Sequence, residues 1–367
     1  MKKQRVFGLV VVFLILAGLV FLQVRTWKSF DWSKFSQQVV GLNWWLVLSG
    51  AGMIYLADAI RAVRWAIFLR PVRKVNPARL VAPQFIGFAG LALLGRPGEL
   101  MRPYIIARKV GLSFPSQLAV WTVERIFDAG SVAIILTCSV IFSDALRNLP
   151  FGTIHIRHHP IPITAGSWAF VLLGLVGFLV VIAAIIRYRS VELAGWFERR
   201  MGVRFPHTAH KVSHKILSFG EGLNTIHDLG SFASLSLLSI VIWLLCGLAY
   251  YLVTHAYLSP QLQSLSFGQS VLLMSASLAG GILQLPVVGG GSQLATISVL
   301  VNVFNVRTDP ATCQYAHNCP ELATSCGIML WLITFMAVAP IGIALAHREH
   351  LSLRKLEEES HPAEELA

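Results

Sequence analysis

Six stretches of this chain, at about 6–24, 42–69, 117–143, 166–187, 234–257 and 322–346, are apolar over lengths that approach or exceed the roughly 20 residues a helix needs to cross a bilayer. No other feature of the sequence limits the fold as strongly. Of 367 residues, 55% are hydrophobic and only 13% charged, against about a quarter charged in a soluble domain. The expected fold is an all-α polytopic membrane protein. The net charge of +12 then belongs first to cytoplasmic loops and anionic lipid, not to nucleic acid.

Two further apolar stretches do not fit a simple crossing. Residues 80–95, LVAPQFIGFAGLALLG, are short for a span and carry Pro83 and several glycines. Residues 268–304 are too long for one helix and are broken by LPVVGGGSQ at 285–293. Such breaks are tolerated at membrane depth only where the freed backbone is buried in protein or lines a cavity.

Basic residues set the orientation. The loop at 187–233 holds Arg187, Arg189, Arg199, Arg200, Arg204, Lys211 and Lys215, whereas 144–165 holds only Arg147 and Arg157. The first is expected inside and the second outside. Lys2, Lys3, Arg5, Arg348, Arg354 and Lys355 then place both termini in the cytoplasm of a multi-pass cell-membrane protein. These assignments agree if 80–95 and 268–304 are re-entrant hairpins beside about six full spans. Each half, about 1–143 and 166–346, then makes three crossings, so the second is inverted relative to the first, as in many transporters. Eight full spans are the alternative. Either way 1–350 reads as a single integral membrane domain and 351–367 as an acidic cytoplasmic tail.

The ends and the cysteines add less. The basic start and apolar core resemble a signal peptide, but no A-x-A-like site follows, so 6–24 reads as a retained helix. Trp27, Phe30, Trp32 and Phe35 suit an interfacial helix. Cys138, Cys246 and Cys326 lie in apolar runs. Cys313 and Cys319, in an external CQYAHNC loop, form either a disulfide or two free thiols. With His317 they lack a fourth zinc ligand, and His155, His158 and His159 lack a nearby acid. No metal or cofactor is expected.

The charges inside the spans are the functional signal. Asp58, Arg61 and Arg64 are spaced by three in YLADAIRAVRW, and Glu124, Arg125 and Asp128 lie in TVERIFDAG. Those spacings put Asp58, Arg61 and Arg64 on one helix face and Glu124 and Asp128 on another. At a helix centre each costs about 2.5–3.5 kcal/mol on insertion scales. Six of them would approach ~20 kcal/mol, more than a fold's net stability. They must therefore pair, snorkel or face water. Three acids against three arginines sum to zero, so pairing across helices is direct. The readings are a polar path for a charged substrate or a structural ion-pair lock with Arg64 snorkelling.

Two more motifs join them. In GRPGELMRP, Arg96 and Arg102 flank Glu99, and Pro97, Gly98 and Pro103 interrupt the helix. Arginine's planar fork suits phosphate, and the alternative is ordinary positive-inside charge. Gly289, Gly290 and Gly291 precede a helical pattern, with Gln293 behind them. Exposed N–H groups at that helix start offer an anion site, or the glycines serve a hinge or tight crossing.

Soluble-enzyme motifs are missing: there is no G-x-S-x-G, Walker A loop or H-E-x-x-H. The chain is not expected to be an enzyme, although a membrane-embedded transferase using Glu99 or Glu124 as base stays open.

GRPGELMRPYIIARK, followed about fifteen residues later by VERIFD, resembles the flippase-like, lysylphosphatidylglycerol synthase transmembrane region family. RAVRWAIFLRP and LPVVGGGSQ add to the likeness, which covers roughly 40–345. The resemblance implies a membrane protein that moves or modifies lipids. In the two-part multiple peptide resistance factors, a related region is taken to flip aminoacylated phosphatidylglycerol made by a soluble domain. Only about twenty polar residues follow the last span here, so the synthase activity is not carried over. By position the motif residues are Gly95, Arg96, Gly98, Glu99, Arg102, Pro103, Glu124, Arg125 and Asp128. Gln293 stands near a place where many relatives carry an acid, which argues against proton coupling there. The expectation is a translocase for anionic or polyprenyl-phosphate lipids, with Arg61, Arg64 and the glycine turn also facing the headgroup. The alternative is a subunit presenting lipid to a separate lipid-modifying enzyme or glycosyltransferase. Oligomeric state is left open, a homo-oligomer included.

Overall fold

A computed structural model describes residues 32–156, 159–201, 213, 229–285, 289–306 and 321–349. The first apolar run, Cys313, Cys319, His158 and the acidic tail lie outside this set. Among the described residues the fold is helical: α1 (Trp32–Val40), α2 (Trp44–Leu69), α3 (Ala78–Leu94), α4 (Met101–Val110), α5 (Phe114–Ile141), α6 (Ala165–Met201), α7 (Leu229–His255), α8 (Phe267–Gly280), α9 (Gly291–Asn302), α10 (Glu321–Trp331) and α11 (Val338–Arg348). The protein is an all-α polytopic membrane protein. Among the described residues, α2, most of α7 and the run from α10 through α11 are each long and apolar enough to cross a bilayer. The 28-residue α5 is also long enough, but it carries Glu124, Arg125 and Asp128.

The chain divides into two compact units whose segments alternate along the sequence. The first comprises the chain up to Ile54, Ala89–Glu99 and Cys246–Pro340. The second comprises Tyr55–Phe88, Leu100–Leu245 and the chain from Ile341.

In the second unit, α3 and α4 run antiparallel. Gly87 of α3 lies so close to the Arg102 backbone of α4 that no Cβ fits between them. The Arg73 guanidinium, just before α3, donates to the Val110 carbonyl at the end of α4. The two ends of this hairpin therefore meet. Its bend is set by Gly95, at φ 69°, and by a 3₁₀ turn over Arg96–Leu100. In the first unit, Gly98 of that turn abuts the Gly90 carbonyl. A Cβ at Gly98 has no room, which is why the backbone needs glycine there.

Local signals fix the next join. Gly111, at φ 65°, caps α4 in the left-handed conformation. Ser113 caps α5 through its side chain, accepting from the Ser116 N–H, with a proline in the first turn. Trp65, Phe68 and Leu69 of α2 pack with Leu80 of α3, Ile106 of α4, Val123 of α5 and Leu235 of α7 to form the core around this hairpin.

The first unit contains a second antiparallel hairpin. Gly280 of α8 lies against the Gly291 carbonyl and Ala295 of α9, and Ser277 and Ser292 share a 2.7 Å hydroxyl contact. A capping box of Ser266 and Gln269 starts α8. Gln284 and Leu285 pair with Gly290 and Gly289 across the glycine turn. Beyond it, Leu332–Met336 form one π-helical turn between α10 and α11; there the Ala337 N–H reaches back to the Leu332 carbonyl at 2.8 Å.

The loop at 144–165 departs from the sequence reading. It holds a single helical turn and an antiparallel ladder of Pro150–Ile156 with His159–Thr164. Ile154 and Ile156 alternate, as do Ile161 and Ile163, which is a strand period. Pro160 and Pro162 are tolerated because both strands of a two-stranded ladder are edges. The apolar run read as ending at 187 continues as helix to Met201, with non-helical backbone angles at Arg189.

Candidate functional site

The second unit gathers Asp58, Arg61, Arg64, Arg102, Glu124, Arg125 and Asp128 into one cluster. Glu124 is 1% exposed and is gripped from both sides. Its Oε1 accepts from Arg64 Nη2 on α2, and its Oε2 accepts from Arg102 Nη2 on α4. One carboxylate on α5 thus ties two other helices together. Arg64 has no solvent exposure, so it does not snorkel. Its Nη1 donates to Asp128 Oδ1 and to Ser239 Oγ, both at 2.7 Å. Trp243 Nε1 donates to the same Asp128 oxygen at 3.0 Å. The i, i+4 spacing of Glu124 and Asp128 places both acids on the face that meets α2 and α7.

The remaining arginines are held by acids and aromatic rings. Arg61 donates to Asp58 one turn earlier at 2.7 Å. It lies over the rings of Phe88 at 5.0 Å and Trp243 at 5.4 Å. Arg102 lies over Trp65 at 4.9 Å and Phe88 at 5.3 Å. These distances are within cation–π range. Arg125 pairs with Asp128 Oδ2 at 3.0 Å and is the outermost member, with a side chain 35% exposed.

Charge does not balance inside the cluster. Among the described residues it holds four guanidiniums and three carboxylates. Arg102 is the member that the two spans alone did not carry, and Arg125 is the one that is not buried. The buried members, Asp58, Arg61, Arg64, Arg102, Glu124 and Asp128, are three of each sign, so the excess positive charge falls at the partly exposed rim, where a guanidinium suits an anion.

Arg96 opens the 3₁₀ turn and Glu99 lies within it. Both belong to the first unit, whereas Arg102 belongs to the second. Gly289, Gly290 and Gly291 also lie in the first unit. Gly290, at φ 81°, is the N-cap of α9, and Gln293 is buried in its first turn. The glycines thus stand at a helix start, as their pattern suggested. Among the described residues no group of three or more His, Cys, Asp or Glu side chains could hold a metal.

Sequence reasoning missed the neutral members: Trp65, Phe88, Ser239 and Trp243. Only Ser239 left a trace, as a polar residue inside an apolar run.

Residues 5–313 match the family described as the lysylphosphatidylglycerol synthase TM region. No curated protein and no solved structure matches the chain. The chain belongs to the lysylphosphatidylglycerol synthase transmembrane-region family, a membrane domain linked to lipid modification or transport.

Proposed function

We propose that this family member is a lipid translocase that carries phosphate-bearing, anionic lipids across the cell membrane. The observation that carries the reading is the cluster of four guanidiniums and three carboxylates among the described residues, neutral in its buried part and with Arg125 as the partly exposed excess charge. A phosphodiester brings one negative charge and planar oxygen pairs that arginine binds in bidentate fashion. Arg102 and Arg61, both stacked on Phe88, are the headgroup-facing pair. Glu124 and Asp128 hold the guanidiniums in place, and Arg125 is the entry charge. The acyl or prenyl chains stay in the bilayer.

The α3–α4 and α8–α9 hairpins are, in this reading, re-entrant, with about six full spans and both termini cytoplasmic. The contact of Arg73 with the end of α4 supports that reading for the first hairpin. The sequence has no nucleotide-binding motif, so movement is passive or ion-coupled.

The test is reconstitution into neutral vesicles with trace fluorescent lipid and an impermeant quencher. Wild-type protein is expected to speed the exchange of anionic lipids, and Arg102→Gln to slow it at least tenfold. Exchange no faster than in empty vesicles, for every anionic and polyprenyl-phosphate lipid tried, would overturn the proposal.

A further inference from the structure

Gln84 is fully buried, and neither its Nε2 nor its Oε1 has a hydrogen-bond partner among the described residues. Buried carboxamides in folded proteins are almost always satisfied. Leaving a donor and an acceptor unmade inside one side chain is costly.

Its position narrows the purpose. Gln84 lies on α3, one turn after Leu80 and one turn before Phe88, so the three share a face. Leu80 packs in the core with Trp65 and Ile106. Phe88 carries the Arg61 and Arg102 guanidiniums. Gly87, between them, presses against the Arg102 backbone. The carboxamide therefore belongs to the face of α3 that meets the arginine cluster, and it is the neutral polar group on that face.

A carboxamide both donates and accepts. It matches a hydroxyl, which does the same, whereas a bare phosphate oxygen would use its N–H and leave its carbonyl oxygen unpaired. We propose that Gln84 is a specificity-determining residue: it hydrogen-bonds a hydroxyl on the lipid headgroup whose phosphate the arginines hold. This rests on the lipid-translocase reading and adds the substrate feature that reading leaves undefined, a hydroxyl-bearing headgroup. Sites built to bond a hydroxyl discriminate strongly against analogues lacking it, because the protein's own polar group is left unpaired.

Two fluorescent probes of equal charge test this in the vesicle assay: phosphatidylglycerol, which carries headgroup hydroxyls, and phosphatidylmethanol, which carries none. Wild-type protein is expected to move phosphatidylglycerol about tenfold faster or more. Gln84→Leu and the near-isosteric Gln84→Met are each expected to slow phosphatidylglycerol about tenfold and so abolish that preference. Neither is expected to lower the melting temperature in detergent, because each removes an unsatisfied amide. Equal wild-type rates for the two lipids would overturn the assignment and leave the translocase reading standing. Parallel losses on both lipids with a lower melting temperature would also overturn it, as the mark of a packing role. No movement of either lipid would also overturn the assignment, and the translocase reading would fall with it if every other anionic and polyprenyl-phosphate lipid failed as well.

Discussion

Glu124 is the residue on which the buried cluster turns. It accepts from Arg64 and Arg102 at once, so removing its charge leaves two guanidiniums short of a partner. Breaking a buried ion pair from one side costs about 3–5 kcal/mol. Glu124→Ala is therefore expected to lower the melting temperature of the detergent-solubilised protein sharply. Arg125→Ala removes a half-exposed charge and is expected to cost about 1 kcal/mol or less. Equal losses in the two variants, read by thermal unfolding, would refute this ranking. Most of the charged set was legible in the sequence, because charge in an apolar run is expensive enough to demand an explanation. Pairing between the spans follows from the same cost. What the sequence hides is which arginine completes the set. Arg102 sits in a stretch that looks like ordinary cytoplasmic charge, and only the fold of α3 against α4 brings it to Glu124. Trp243 and Phe88 were not legible, since one more aromatic in an apolar run gives no signal.

At the scale of elements, close backbone contact holds the hairpins together. Gly98 and Gly87 each sit where an added Cβ meets backbone or a Cβ of the facing segment. A methyl there forces the segments apart, as overpacking does elsewhere at about 1–3 kcal/mol or more. Gly98→Ala is expected to lower stability and, through the arginines, lipid movement. Gly52 in α2 has nothing within 4 Å of an added Cβ. Gly52→Ala is expected to be neutral or to stabilise by about 0.5–1 kcal/mol through helix propensity. Melting temperatures of the two variants, measured side by side, check the contrast. The break at Gly95–Leu100 was readable from its glycines and prolines. The strand pair at 150–164 was readable too, from the alternating isoleucines, but it was masked by prolines that look like loop punctuation.

At the scale of the whole molecule, one pattern occurs twice among the described residues. A long helix, a helical hairpin and a second long helix appear as α2, α3–α4 and α5, and again as α7, α8–α9 and α10–α11. The buried charge of the cluster lies wholly in the first set. In the second set, neutral hydroxyl pairs such as Ser277 with Ser292 and Tyr257 with Ser325 mark the buried contacts. If each hairpin is re-entrant, each set crosses the membrane twice; with the apolar runs at 6–24 and 166–187 ahead of them, each half crosses three times and the halves are oppositely oriented. The positive-inside bias then requires the strand pair outside and the basic end of α6 inside. Single cysteines at Asn76 and Ser113, flanking the first hairpin, are expected to react with an impermeant maleimide from the same, cytoplasmic face. A cysteine at Thr153 is expected to react only from outside, and one at Glu198 only from inside. The native cysteines must first be replaced, Cys138, which is exposed, and Cys313 and Cys319 of the CQYAHNC segment among them. Labelling of positions 76 and 113 from opposite faces would make α3–α4 a crossing and favour eight full spans. The same charge bias that orients the loops would then have to fail at one of them, most plainly at the arginines beyond 187. The outcome at 76 and 113 thus decides whether the repeated pattern is inverted.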